Sequence, residues 1–145
     1  MDAGNFALTA AGCFLLFGML TGIWKYFHMM TRPDATAPYY VDICHRTSLQ
    51  YAFACVLLFL LATNSAWSEP VNFYATLVPI LFFASAVFTY WLHGALKDTN
   101  NQLEQPHRLG RGTLPRGIIK TYMLALITGE IGGTAILLTG FIASY

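Results

Sequence analysis

The sequence is poor in charged residues, poor in cysteine and free of the short motifs that bind metal or haem. Asp, Glu, Lys and Arg make up 10% of its 145 residues while hydrophobic residues make up 56%, a balance unlike that of soluble globular domains. Three cysteines cannot all pair within one chain, so we expect no disulfide. The spacings HExxH, CxxC and CxxCH do not occur, and the formal net charge of +1 indicates no nucleic-acid partner.

What the sequence has instead is four long apolar stretches, at approximately residues 5–28, 47–66, 71–95 and 117–143. Each stretch is long enough, as a helix rising about 1.5 Å per residue, to cross a hydrocarbon core of about 30 Å. The pattern therefore predicts an all-α integral membrane four-helix bundle, with one transmembrane domain covering residues 1–145.

The basic residues predict the orientation of this bundle. All eight Lys and Arg residues fall in or beside two gaps, 29–46 and 96–116. Because basic residues in short loops stay on the cytoplasmic side, we expect both loops to be cytoplasmic and both termini to lie on the opposite side. We expect a bacterial inner membrane, because the sequence shows no organelle-targeting segment. The eight bases are Lys25, Arg32, Arg46, Lys97, Arg108, Arg111, Arg116 and Lys120.

One acidic residue, Glu130, lies near the middle of the fourth stretch, far from every base. A charged residue at that depth costs about 2.5–3.5 kcal/mol on insertion scales, so we expect Glu130 to be neutral or to face water inside the bundle. Thr21, Ser85 and Thr89 are its expected hydrogen-bond partners. Glu130 is thus a candidate proton-relay or ligand-binding carboxyl, the alternative being a structural link between helices.

Three histidines should share one depth at the cytoplasmic boundary. His28 ends the first stretch, His45 precedes the second and His93 lies near the end of the third. Neutral imidazoles at one depth could converge on a metal ion or supply axial ligands to haem, with Lys25 and Arg46 balancing an anionic group. The alternative is that all three are interfacial residues, like the Trp and Tyr beside them.

A fourth histidine, His107, belongs to the polar second loop, and we expect it to be solvated. It is part of a faint internal echo. In the first half of the chain, His28 is followed by a loop that ends in His45-Arg46. In the second half, His93 is followed by a loop that contains His107-Arg108. A duplicated hairpin would place corresponding histidines on the same membrane face.

Two glycine pairs predict close helix packing. Gly18 and Gly22 in the first stretch, and Gly129 and Gly133 in the fourth, have the small-xxx-small spacing that lets membrane helices approach. We expect these two helices to pack on each other. The same faces could alternatively join protomers of a homo-oligomer, or dock the chain into a larger membrane complex.

The start of the second stretch resembles that of the MAPEG group, the microsomal glutathione-transferase-like membrane proteins. Arg46 is followed four residues later by the amide Gln50, although Phe53 stands where the family has Glu and no Arg occurs in the third stretch. The resemblance implies a trimer with thiol-cofactor sites between protomers, in which Arg46 and Gln50 orient glutathione. Tyr51 or Tyr90 would then assist formation of the thiolate.

Three functions follow from these features. The first is an accessory or binding subunit that holds a haem, a metal or a lipophilic ligand near the cytoplasmic face of the bilayer. The second is a MAPEG-like, glutathione-dependent transferase acting on lipophilic substrates, and the third is a structural assembly factor of a membrane complex. The sequence leaves open whether the protein is an enzyme.

Overall fold

The computed structural model describes all 145 residues and consists of four long helices and one short hairpin. All four helices are long and apolar enough to cross a membrane, which confirms the prediction of an all-α chain with four helices of that kind. The elements in chain order are α1 (Ala3–Met30), α2 (Tyr39–Thr63), α3 (Glu69–Leu96), β1 (Arg108–Leu109), β2 (Gly112–Thr113) and α4 (Arg116–Ile142).

Helix α2 begins about two turns earlier than its apolar stretch. It starts at Tyr39, directly after Pro38, whereas the sequence predicted a start near residue 47. The added turns contain Asp42, His45 and Arg46, which interrupt the apolar run, and the Asp42 carboxylate lies near the positive end of the helix dipole. Hydropathy finds only the apolar part of such a helix. The first connection therefore spans residues 31–38 rather than 29–46.

The two middle helices, α2 and α3, form the centre of the bundle. α1 packs mainly on α2, and α4 packs mainly on α3. No comparable interface joins α1 to α4, so the prediction that these two helices pack on each other is wrong. The physical reason is that each glycine pair is covered by the neighbouring helix along the chain.

The glycine pair of α1 allows α2 to approach closely. A Cβ added at Gly18 would lie 2.6 Å from the side chain of Leu49, and one added at Gly22 would lie 2.9 Å from the ring of His45. Real side chains do not tolerate such contacts. The absence of side chains at both positions therefore sets the spacing of α1 and α2.

The glycine pair of α4 allows that helix to approach α3 closely at Pro79. Pro79 has no N–H, so the carbonyl of Ala75 loses its usual helical donor. Gly133 covers that carbonyl, since a Cβ at Gly133 would lie 2.6 Å from the Ala75 oxygen and 2.5 Å from the Pro79 ring. Close approach of the Gly133 backbone lets a Cα–H group face the freed oxygen.

Burial along α4 is confined to its second half. Its only buried residues are Gly133, Leu137 and Gly140. The indole N–H of Trp67, in the turn between α2 and α3, also donates to the carbonyl of Ile136 at 3.0 Å. The second half of α4 is therefore fixed to the bundle, whereas its first half follows directly on the connection from α3.

Candidate functional site: a cavity beneath the second connection

The two interhelical connections that carry basic residues, 31–38 and 97–115, lie at one end of the bundle. We call this the basic end, because all Lys and Arg residues lie in it or within about two turns of it. The ends of α1 and α3 and the starts of α2 and α4 meet there. The candidate site is built where residues 97–115 fold back over this end.

The fold-back begins with a turn at the end of α3. Lys97 adopts the left-handed conformation, with φ of 51°, and its N–H donates to the carbonyl of His93 at 2.8 Å. This turn reverses the chain direction, so that Asp98 reaches back to His93. Their Oδ1 and Nδ1 atoms lie 2.8 Å apart, and the two side chains are 4% and 7% exposed, respectively.

The second oxygen of Asp98 holds the hairpin. It accepts a hydrogen bond from the backbone N–H of Gly110. Gly110 has a φ of +60°, a conformation that glycine adopts without steric cost. Burial alone would raise the pKa of Asp98, but hydrogen bonds from His93 and from the Gly110 N–H outweigh it and hold the pKa below its ordinary value. Asp98 is therefore ionised at neutral pH, and the proton of this contact belongs to Nδ1 of His93.

His107 is buried, with 6% of its surface exposed, so the prediction that it is solvated is wrong. Its Nδ1 donates to the carbonyl of Gln102 at 3.2 Å, and the N–H of Gln102 donates to the Tyr40 hydroxyl at 2.6 Å. Tyr40 belongs to α2, and its ring lies against His93 with centroids 5.1 Å apart. Polar composition indicated exposure, but these contacts tie the loop to both central helices.

A cavity of about 130 Å³ lies between this loop, the end of α3 and the start of α4. His93 and His107 both line it, and α4 contributes Ile119, Tyr122 and Met123. The rest of the wall consists of four leucines together with Thr89, Gln102 and Arg108. Each histidine makes its hydrogen bond through Nδ1, so both Nε2 atoms are free to bind a ligand.

The three histidines predicted as joint ligands do not come together. No group of three or more His, Cys, Asp or Glu side chains is arranged to hold a metal ion. His28 is half-buried beside Trp24, whereas Nδ1 of His45 lies 2.8 Å from the carbonyl of Gly18. The early start of α2 places His45 inside the helix against α1, while His93 turns to the second loop, so the expected convergence fails.

The two bases predicted to balance an anionic group are paired with an acid instead. Asp42 accepts from Lys25 at 2.6 Å and from Arg46 at 2.8 Å. Gln50, one turn beyond Arg46, is exposed on the outer face of α2 together with Phe53. The Arg46 and Gln50 positions therefore face away from the cavity.

Glu130 lies inside the bundle without the partners predicted for it. Its Oε1 atom is buried and has no hydrogen-bond partner. The hydroxyls of Thr21 and Thr89 bond to carbonyls of their own helices, and Ser85 pairs with the Tyr122 hydroxyl at 2.8 Å. A Ser or Thr hydroxyl in a helix can donate to the carbonyl one turn earlier, so it needs no partner on another helix. The sequence does not show which of these two hydrogen bonds forms.

Tyr51 and Tyr90, the other two candidate catalytic residues, are partly buried against the core. Tyr51 stacks on Phe83 with ring centroids 4.1 Å apart, and Tyr90 stacks on Tyr40 with centroids 5.9 Å apart. Neither lines the cavity, whereas Tyr122 does.

Sequence reasoning missed the residues that build the cavity, above all Asp98 and the buried state of His107. The available signal was local: an acid five residues after His93 at a helix end, followed by glycines at 110 and 112 that permit a tight return. Comparisons with protein-family models, with curated proteins and with solved structures found no match.

Proposed function

We propose that the protein is an integral membrane protein that binds a small lipophilic ligand at its cytoplasmic end, in the cavity beneath residues 97–115. The observation that carries this proposal is the pairing of apolar walls with two nearly buried histidines, each with a free Nε2. Ligand sites in proteins typically combine apolar walls with a few convergent polar groups.

The outer surface of the bundle supports membrane insertion. Large apolar side chains lie outside rather than inside, with Phe53 74% exposed, Ile131 66% and Leu124 63%. Helices of 25 to 28 residues are about 38–42 Å long, enough to span the hydrocarbon core with some tilt. The bases at one end favour that end as cytoplasmic, with both termini outside, in a bacterial inner membrane.

The cavity limits the size of the ligand. Pockets for drug-sized ligands measure about 300–1,000 Å³, whereas this cavity measures about 130 Å³. A haem does not fit within it, and a ligand of roughly one ring does. The apolar wall favours a molecule that reaches the site from the bilayer.

Binding can be tested with toluene, a ring-sized probe without polar groups, and ¹³C-methyl NMR of methionine. Met123 lines the cavity, whereas Met19 is 59% exposed on the outer face of α1. We expect toluene to shift the Met123 methyl signal saturably and to leave Met19 with only a linear, solvent-like response. The cavity-filling variant Ile119→Phe should abolish the saturable shift, because its larger ring occupies the same space.

Equal, non-saturating responses of Met123 and Met19 would contradict the proposal, since they indicate general partition into lipid or detergent. A saturable Met123 shift that persists in Ile119→Phe would also contradict it. The reporter residues lie on different helices, so a loss of overall structure would be visible as a change at both.

A second candidate function, a MAPEG-like transferase, is favoured by one observation. Gln50 is an exposed amide on a membrane-length helix, one turn from Arg46 on the same outer face. Polar groups in membranes usually face other protein rather than lipid, so these residues fit a site shared between chains. Glutathione binding that is lost in Gln50→Leu, measured by calorimetry on the purified protein, would support this function; retained binding would contradict it.

A further inference from the structure

The hydrogen bonds of the two cavity histidines define which ring nitrogen carries the proton. The carbonyl of Gln102 can only accept, so Nδ1 of His107 is the donor. Asp98 is ionised and also only accepts, so Nδ1 of His93 is the donor there. In the neutral imidazole the other nitrogen, Nε2, then has a lone pair and no hydrogen. Both free nitrogens are therefore hydrogen-bond acceptors.

The two acceptors are not equivalent. A carboxylate bonded to Nδ1–H raises the basicity of the opposite nitrogen and fixes the orientation of the ring. His93 has such a carboxylate, whereas His107 has a neutral backbone carbonyl in the same place. The His93 ring also lies against Tyr40, with centroids 5.1 Å apart, and Asp98 is itself fixed by the Gly110 N–H. Nε2 of His93 is therefore the stronger and the better fixed acceptor.

A ligand complementary to this cavity must bring a hydrogen-bond donor on an apolar body. A carboxylate offers only acceptors to the two lone pairs, and the one cation in the wall, Arg108, is an exposed residue. An ammonium would bring a positive charge into a cavity that Arg108 also lines and where both oxygens of Asp98 are already engaged. A thiol is a weak donor. A neutral hydroxyl offers a good donor to these nitrogens without bringing a charge into the cavity.

We propose that the ligand of this cavity is a lipophilic hydroxyl compound, a membrane-soluble phenol or alcohol, whose O–H donates to Nε2 of His93. The inference rests on the proposed function, because it specifies the chemistry of the ligand that the cavity binds. His107 is the second acceptor in the same wall. Asp98 is a positioning residue, since it contacts His93 and not the ligand.

The test compares phenol with toluene, which is close in size but has no donor, using the saturable shift of the Met123 methyl signal. We expect phenol to bind about tenfold more tightly than toluene, since one hydrogen bond to a buried acceptor contributes about 1.4 kcal/mol. His93→Phe keeps an aromatic ring and removes the acceptor, so phenol affinity should fall to that of toluene. His28→Phe, at a residue that does not line the cavity, should leave the tenfold ratio unchanged.

A spectroscopic signature keeps the proposal testable if His93→Phe fails to fold. In the unchanged protein, ¹⁵N NMR of the imidazoles should show the His93 hydrogen on Nδ1, and phenol should shift the Nε2 signal of His93. Toluene should not. Asp98→Asn should lower the phenol-to-toluene ratio while the cavity still takes up toluene, because the neutral amide no longer polarises the ring.

The two proposals fail in different ways. Equal affinities for phenol and toluene, a tenfold ratio retained in His93→Phe, or a His93 hydrogen found on Nε2 would overturn the hydroxyl inference while leaving a lipophilic cavity. If neither probe shifts Met123 saturably, the proposed function fails and the inference fails with it.

Discussion

The two connections at the basic end are both polar in composition but differ in structure. In residues 31–38, Asp34 accepts from Arg32 and from Thr36, all three exposed. The Thr31 hydroxyl donates only to the last turn of α1. Residues 97–115 bond instead to the central helices α2 and α3. The difference is whether the polar groups find partners on the two central helices.

Length adds to this difference. The first connection has just enough residues to join two adjacent helices, whereas the second has 19 residues between α3 and α4, from 97 to 115. Ordered loops longer than about 12–15 residues are uncommon and usually functional. A duplicated hairpin would place corresponding histidines on the same membrane face, but the burial of the two pairs differs, since only His93 and His107 are buried. A short loop offers no chain with which to cover a histidine.

The largest effect should come from removing the acid that ties down the second connection. Asp98→Ala leaves the buried His93 ring and the Gly110 N–H without an acceptor, which should cost about 3 kcal/mol of unfolding free energy. Asp34→Ala in the first connection should cause no measurable change in the free energy of unfolding, because that carboxyl is exposed. Denaturant titration of both variants in one detergent tests the contrast; equal losses would show that the two connections are held alike.

Acid should break the same contact without a mutation. Asp98 has a folded-state pKa below its ordinary value of 3.8, so its contribution to stability is complete above that value and is lost as pH falls through the lower, folded-state pKa. The amide proton signal of Gly110 should follow this titration. The pKa of Asp34 is also lowered, chiefly by the Thr36 hydroxyl, but its titration should leave the Gly110 signal unchanged. A Gly110 signal that titrates at or above 3.8 would contradict this assignment.

A smaller loss is expected at the contact with α2. Tyr40→Phe removes the acceptor of the Gln102 N–H, which should cost about 1 kcal/mol and accelerate amide exchange at Gln102. Tyr39→Phe is the matched control, because Tyr39 is 53% exposed and its hydroxyl makes no hydrogen bond within the chain. Unchanged exchange at Gln102 in Tyr40→Phe would show that this contact does not hold the loop.

The smallest effect concerns backbone conformation, for which each connection provides one site. Lys97 and Ala35 are the two non-glycine residues with positive φ, at 51° and 49°. Glycine relieves the strain at either site but increases the entropy of the unfolded chain, so each substitution should stabilise by about 0.5 kcal/mol. Lys97→Val should destabilise, because a β-branched residue avoids this conformation, and should lower the saturable Met123 response. Ala35→Val should leave that response intact.

Much of the fold followed from the apolar stretches, because a helix that crosses a membrane must be long and apolar along its whole middle. The same logic could not find the start of α2, because Asp42, His45 and Arg46 interrupt the apolar residues of its first two turns. It also could not find which helix each glycine pair contacts. Hydropathy describes a helix alone, whereas the neighbour of Gly22 or Gly133 depends on tertiary packing.

The candidate site was predictable only in part. His93 was identified from its depth, and its Asp98 partner lies five residues away in sequence. The contacts of His107 with Gln102, and of Gln102 with Tyr40, join positions up to 62 residues apart. Such pairings depend on how the loop returns to the helices. Glu130 was correctly singled out as isolated from bases, yet its unpartnered oxygen is visible only in three dimensions.

The one-sided burial of α4 has a mechanical consequence. Its second half packs closely on α3 near Gly133, where it meets Pro79, whereas the side-chain hydrogen bond of its first half joins the hydroxyls of Tyr122 and Ser85. Ile119, which lines the cavity, lies about 21 Å along the helix from Gly133. A slight tilt of α4 about Gly133 would therefore widen the cavity while His93 and Asp98, neither of them on α4, stay in place.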